Sequence, residues 1–348
     1  MRHPTDRRRS GFTLVELLMV ITIIGILVGL LVPAVMFAMQ GVKKRAIGIE
    51  VQTLANAVDQ YKNKFGDYPP DGSNIAIFQR HFRKLFPQIA ATEFTILDSV
   101  ASVSNGAPGV MDPPEALVFA LGGYSEDPVH PFTGSGGPIA QVPGTTPITY
   151  QYNVDRNEPL YEFKQAQLSI VLSGNATLSS DESDVGGYGA VDAMPVYRPS
   201  AKLCPYVYFD SRTYSFSVGS GSTFFNNYSP NDALGYARPY KSEKPNTNVS
   251  AQPPNAEAYY RYMNDRTYQI VSGGLDDNYG GVKFGSSDKG PVFFTYPSGE
   301  DIDFRNWTST QAPTTKTVTR YNDGNVVKPQ LDNVANFADG TLEDALSN

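Results

Sequence analysis

Cysteine, histidine and tryptophan are almost missing from this chain, which has one, three and one of them in 348 residues. A lone thiol, Cys204, rules out an intrachain disulfide, so packing, hydrogen bonds or bound ions must hold the fold in any compartment. Its ordinary role is that of a small buried hydrophobe. Beyond His3, only His81 and His130 remain, too far apart and too unaccompanied to suggest a zinc site. Positive charge is short as well. The formal net charge is −7, and residues 1 to 11 hold four arginines against one aspartate, so the remainder stands at about −10 by the same counting. Nucleic acid is therefore not an expected partner. No nucleophile, base and acid arrangement can be recognised. The glycine-rich stretches at 186–189 and 219–221 lack the strand, turn and helix context and the basic residue that phosphate binding requires. Nothing here points to an enzyme.

What the chain does have is one long apolar run. From Leu17 to Met39 there is no charged side chain, and 23 residues of helix reach about 35 Å, enough to cross a bilayer core. A cleaved secretory signal is the rival reading, since Arg7, Arg8 and Arg9 resemble its basic head, but no A-x-A site follows the run. The helical pattern continues instead. Val35, Met39, Val42, Ala46 and Ile49, then Val51, Leu54, Val58, Tyr61 and Phe65, step by three and four with one slip. Gly66-Asp67 and Pro69-Pro70 end it. One helix of about 80 Å from Phe12 to Lys64 is expected, its first half (12–39) in lipid and its second half lying along a soluble domain. Gly29 and Pro33 should bend or loosen it.

Glu16 stands at the head of this run, where a carboxylate in hydrocarbon costs a few kcal/mol and calls for a partner. Ser10-Gly11-Phe12-Thr13-Leu14-Val15-Glu16 looks like the cleavage and methylation signature of type IV prepilins and of the pseudopilins of type II secretion systems. The shared features are a basic leader, Gly before the cut, Phe after it, and Glu as fifth residue of the mature chain. The likeness extends to about residue 70, through Tyr61 to Pro69, which resembles the stretch closing the stem helix of major pseudopilins. It implies a leader of residues 1–11 removed by a prepilin peptidase after Gly11. It further implies methylation of the new amino terminus at Phe12, and pairing of Glu16 with a neighbour's terminus during filament assembly. Implied partners are the membrane, an inner-membrane assembly platform, copies of the chain and other pseudopilins. Implied too is a single pass through the inner membrane with the globular domain outside the cytoplasm. Charge alone does not orient the helix, because Lys43, Lys44 and Arg45 at the far end nearly balance the arginines.

Residues 66–348 read as a globular pilin-like domain, which makes the whole an α+β chain: a long stem helix packed on an antiparallel sheet with large loops. A short helix is specified at 112–122 by Asp112 as N-cap, proline in the first turn, Glu115 three residues on and Gly122 past the end. Phe78 to Leu85 is a second candidate. Expected strands are Ile148–Val154, Tyr206–Phe209, Tyr214–Val218, Tyr268–Val271 and Val292–Tyr296. Asp210-Ser211-Arg212 suggests a hairpin between two of them. The stretches 173–190 and 226–256 read as loops, and the segment from Thr308 as polar and partly extended.

One acidic cluster invites a metal. A strand leads into Ser272-Gly273-Gly274-Leu275-Asp276-Asp277, later joined by Glu300-Asp301-Ile302-Asp303 ahead of Trp307, and hard oxygens in a glycine-rich loop suit calcium. The order resembles the calcium loop of major pseudopilins, which implies Ser272, Asp276 and Asp301 as side-chain ligands. Two function classes follow from the sequence. The first is a filament subunit of a type II secretion pseudopilus or type IV pilus; the alternative is a membrane-anchored extracytoplasmic module that binds a ligand such as a glycan.

Overall fold

The computed structural model describes residues 13–101, 108–146, 148–173, 176–179, 193–218, 222–245, 260–281, 292–297, 301–303, 331–342 and 344. The chain divides into two compact units, Met1–Arg45 and Ala46–Asn348. Helix α1 (Leu14–Phe65) is followed by α2 (Ile75–Leu85), α3 (Ala91–Val100) and α4 (Pro113–Leu121). Strands β1 (Ile139–Gln141), β2 (Tyr150–Tyr152), β3 (Ile170–Ser173), β4 (Ala176–Ser179), β5 (Val207–Asp210), β6 (Ser215–Val218) and β7 (Ser222–Phe225) come next. Then come β8 (Lys241–Pro245), β9 (Tyr260–Tyr262), β10 (Tyr268–Ser272), β11 (Val292–Tyr296), β12 (Asp301–Asp303) and β13 (Val334–Ala335).

In the first unit every large apolar side chain from Leu14 to Met39 is exposed. The helix continues through Pro33 without ending there; a proline withholds one ladder donor, a loss that the turns on either side bridge. In the second unit the same helix is amphipathic, burying Ile47, Val51, Leu54, Val58 and Tyr61 at steps of four and three. Its last turn meets α2, where Phe78, His81 and Phe82 are buried. Asn74 starts α2 by accepting hydrogen bonds from the Ala76 and Ile77 amides, one turn earlier than the apolar pattern suggested. In α4 the expected capping box of Asp112 and Glu115 is present, and all nine residues are buried. Phe82 centres an edge-to-face cluster with Phe119 at 5.8 Å and Phe132 at 5.0 Å, so aromatic packing joins the helices.

Gly123 just after α4 has φ +95, and a Cβ there would collide with the Asn157 carbonyl. Gly123→Ala is therefore expected to destabilise the domain by about 2 kcal/mol, measured by urea unfolding.

The described strands form a three-stranded antiparallel sheet in the order β13-β10-β5 and a four-stranded sheet in the order β12-β11-β8-β9, with β1-β2, β3-β4 and β6-β7 as separate pairs. Within the larger sheet β11 and β8 run parallel. The hairpin expected at Asp210-Ser211-Arg212 is not formed: β5 pairs with β10 and β6 with β7. The turn chemistry was right, because the Asp210 side chain caps the Arg212 amide, but the turn re-aims the chain into another sheet. The C-terminal segment is likewise more than polar surface, since Leu331, Val334, Ala335 and Leu342 are buried and β13 pairs with β10.

A buried polar clasp ties the chain just past the stem to this sheet. Asp71, fully buried, accepts from the Ser73 amide and hydroxyl at 3.1 and 2.6 Å, the Asp210 amide at 3.0 Å, Thr213 Oγ1 at 2.5 Å and Asn226 Nδ2 at 2.8 Å. Arg212 donates to Asp210 at 2.6 Å, to Asp67 at 2.9 Å and to the Tyr68 carbonyl at 2.8 Å. Burial pushes the Asp210 carboxyl up to about 7, against the pull of Arg212, and raises Asp71 as well. Burial lowers His81 to about 4.

These shifts act in opposite directions on stability. Folded Asp210 holds its proton more tightly than the unfolded chain does, so its contribution is complete below the ordinary value of 3.8 and is lost as pH rises through about 7. For His81 the folded value is depressed, so stability is lost as pH falls from 6.5 towards 4. Between those two values the His81 and Asp210 effects offset each other, and above 6.5 that of Asp210 remains. Thermal scans should show a melting temperature that declines from about pH 6.5 to about pH 8, and Asp210→Asn should flatten that decline.

Candidate functional site

The N-terminal signature and the acidic loop are the two candidate sites. Gly11 and Phe12 lie outside the described residues. Glu16 is described, and it sits in the first turn of α1. Its Oε2 accepts from the Thr13 amide at 2.9 Å and the Thr13 hydroxyl at 2.8 Å, while the Glu16 amide approaches Thr13 Oγ1 at 3.3 Å. This is a reciprocal capping box, in which Thr13 and Glu16 satisfy helix-end donors that would otherwise be orphaned in an apolar surround. The sequence pattern Thr-x-x-Glu carried that signal, although Thr13 was not singled out. Behind the box, α1 has a most apolar window of mean hydropathy 2.8, none of it buried, and is by length and composition able to cross a membrane. Within the single chain, then, the apolar surface has no protein partner among the described residues, and the carboxylate at its head is met by its own first turn.

The acidic loop follows β10 and is held by hydrogen bonds to backbone amides, its own and those of Leu203 and Cys204. Asp276 Oδ1 accepts from the Asn278 amide at 3.0 Å, and Asp277 accepts from the Leu203 and Cys204 amides at 2.8 and 2.7 Å. Asp332, which the sequence reading did not single out, accepts from the Leu275 and Asp276 amides. It is brought there by β13, whose pairing with β10 no local pattern announced. Lys202 donates its ammonium to the Leu275 carbonyl. Burial, and then the neighbouring Asp332 carboxylate, push Asp276 up to about 6 against the Asn278 amide. Of the expected ligands, Ser272 ends β10, and its fully buried hydroxyl has no hydrogen-bond partner among the described residues. Asp301 belongs to β12, in the other sheet. Glu300, Trp307 and the glycine-rich stretches at 186–189 and 219–221 lie outside the described residues. Among the described residues no three His, Cys, Asp or Glu side chains gather as a metal cluster. The donors present, a serine hydroxyl and the carboxylates Asp276 and Asp332, are chemically suited to a hard cation.

Cys204 is buried, with Sγ 3.1 Å from the Asp277 carbonyl, and burial raises its thiol well above the ordinary range. It is an inert core residue.

Comparison with known proteins singles out the first site. The family model of the prokaryotic N-terminal methylation motif matches residues 6–32. Type II secretion system core protein G of Aeromonas hydrophila is 41% identical over 63 residues, 18% of this chain and 44% of that protein. The protein of the same name from Escherichia coli K12 is 42% identical over 71 residues, 20% of this chain and 48% of its own length. That of Pseudomonas aeruginosa is 40% identical over 63 residues, 18% and 44% respectively. The chain thus spans less than half the length of the curated relatives it matches, and no solved structure matches it. Through its N-terminal segment the chain carries a prokaryotic methylation motif and is similar to type II secretion system core protein G.

Proposed function

We propose that the chain is a structural subunit, not an enzyme, of a type II secretion pseudopilus or type IV pilus-like filament. A prepilin peptidase removes residues 1–11 and the new terminus at Phe12 is methylated. The subunit then waits in the inner membrane as a single-pass protein with its globular domain outside the cytoplasm. An assembly platform stacks it with copies of itself and other pseudopilins. The observation that carries the reading is an uncharged, fully exposed helical run with one carboxylate, Glu16, at its head, inside the matched methylation motif. In lipid that run is solvated. In a filament, neighbouring stems bury it again, and Glu16 exchanges Thr13 for the amine of another subunit, which neutralises both charges.

Mass spectrometry of the protein from its native membrane tests this. A mature chain beginning with N-methyl-Phe12 is the expected result; an intact Met1, or a cut near residue 40, defeats the reading.

Calcium at the loop after β10 is a separate proposal, with Ser272 and Asp276 as ligands and Asp301 as the third. It is supported by the Ser272 hydroxyl, which has no partner among the described residues, and by the burial and then the Asp332 carboxylate that raise Asp276. Bound, the cation would cancel that repulsion and tie β10 to the loop. The expected outcome is a rise of about 5 °C in melting temperature at about 1 mM calcium, absent in Asp276→Asn. An equal response of the variant would remove Asp276 from the site.

A further inference from the structure

We infer that Glu50 is a register pin: it fixes the axial position of the stem helix within the unit formed by residues 46–348, and so fixes where each domain sits when stems are stacked. The second half of that statement rests on the filament reading above.

The apolar contacts of the stem set register only in part. Ile47, Val51, Leu54, Val58 and Tyr61 repeat at steps of four and three, so a slip of one turn, about 5.4 Å, brings Val51 to the place of Ile47 and Val58 to that of Leu54. The stripe resists the slip only further on, where Asp59 and Lys62 would take the places of Ala55 and Val58. Apolar burial is non-directional, and aliphatic side chains of similar volume exchange at small cost. The Tyr268 hydroxyl bonds the stem at the Ala55 carbonyl, 2.9 Å away, a group that a helix offers at every turn, and at Asp59 Oδ1, 3.2 Å away, one side-chain contact that a slip would lose.

Glu50 behaves differently. Its side chain is only 13% exposed. Oε2 accepts from the Tyr206 hydroxyl at 2.6 Å and Oε1 from the Tyr197 hydroxyl at 2.8 Å. Gln167 Nε2 reaches both oxygens, at 3.1 and 3.2 Å, and Lys164 Nζ and the Tyr161 hydroxyl lie at 3.4 and 3.5 Å. Burial opposes the charge, yet the Tyr206, Tyr197 and Gln167 donors outweigh it and hold the carboxyl below its usual range. The donors come from three separate stretches of the domain, so they converge on one point of the helix. A one-turn slip would put Ala46 or Leu54 there, leaving two buried phenols and an amide facing a hydrocarbon group. At the far end, Tyr61 meets His81 Nε2 at 2.9 Å and the Tyr124 hydroxyl at 3.3 Å, two contacts beside the several at Glu50.

The test compares the full chain with Glu50→Gln, Glu50→Leu and, as a control, Glu158→Gln, which breaks the exposed pair with Lys64. Amide hydrogen exchange should accelerate about 100-fold across residues 47–58 in Glu50→Leu and about 10-fold in Glu50→Gln. Helix α4 should keep its wild-type protection, and the control should show no change. Native filaments of the Glu50 variants should be scarce or irregular in repeat under conditions where the domain is folded. Equal acceleration in the stem and in α4 would reduce Glu50 to a general stabiliser and overturn the inference, as would unchanged exchange or filaments of normal yield and repeat. Should Glu50→Leu fail to fold, Glu50→Gln decides. If the wild-type chain forms no filament at all, the filament reading fails, while the exchange measurement still judges the pin.

Discussion

Glu16→Leu is expected to leave the chain inserted in the membrane, with its globular unit folded, and to lower filament yield by about two orders of magnitude. The estimate comes from the partner that the substitution strands. A subunit entering the filament buries its terminal amine among apolar stems, and removing one member of a buried charge pair costs about 3–5 kcal/mol. That corresponds to roughly two to four decades in the association equilibrium per subunit, and the expected loss lies at the lower end. Insertion itself should be unaffected or slightly easier, because leucine in hydrocarbon is better than a carboxylate. Glu16→Gln should fall between the two, keeping a hydrogen-bond acceptor without the charge. Sedimentation of sheared filaments, with immunoblotting of the membrane fraction, separates assembly from insertion. A membrane-anchored glycan-binding module would form no filaments even as wild type, and that result would end the structural-subunit reading. Filaments at wild-type yield from Glu16→Leu would instead remove Glu16 from assembly.

The N-terminal site was legible because its information is local. The run from Leu17 to Met39 and the Glu16 carboxylate lie within one helix, and neither needs a distant residue to be recognised. Helix α4 was legible for the same reason: Asp112, Pro113, Glu115 and Gly122 announce both of its ends. By contrast, α3 has no side-chain cap, its N-cap being Ala90, and nothing in Ala91–Val100 marked it. Pairing was harder still. The bounds of β11 agree with those expected, yet its parallel neighbour β8 lies within a stretch that composition marked as loop. The same holds for Asp332, placed by β13, and for Glu50, which reads in sequence as one more solvated helix charge. What hides these residues is that their partners lie far away: Tyr206 is 156 positions from Glu50.

Asp71 presents the same kind of long-range polar convergence, and its removal should give the largest loss of stability in the globular unit. Asp71→Ala takes the acceptor from the Ser73 amide and hydroxyl, the Asp210 amide, Thr213 Oγ1 and Asn226 Nδ2 at once. Two terms compete. Burial disfavours the ionised carboxyl, as its raised value indicates, so alanine recovers that desolvation. Against this, each stranded buried donor costs about 1–3 kcal/mol. Thr213 Oγ1 and Asn226 Nδ2 keep second acceptors in the Asp210 carbonyl and the Ser73 hydroxyl, but the Ser73 amide and hydroxyl and the Asp210 amide are stranded in an almost wholly buried place, which limits rescue by water. Stranding outweighs recovery, and the net loss should be on the order of 4 kcal/mol. For a unit of this size that lowers the melting temperature by about 10 °C. Asp71→Asn should lose about half as much, because one oxygen still accepts while the new amide meets groups that are donors themselves. The loss should also weaken the hold of the Asp67–Ser73 segment on β5, so exchange at the Asp210 amide should rise more than exchange in α4. A melting temperature within about 3 °C of wild type for Asp71→Ala would mean that the stranded donors find other acceptors, and that the clasp is not what ties the end of the stem to the sheet.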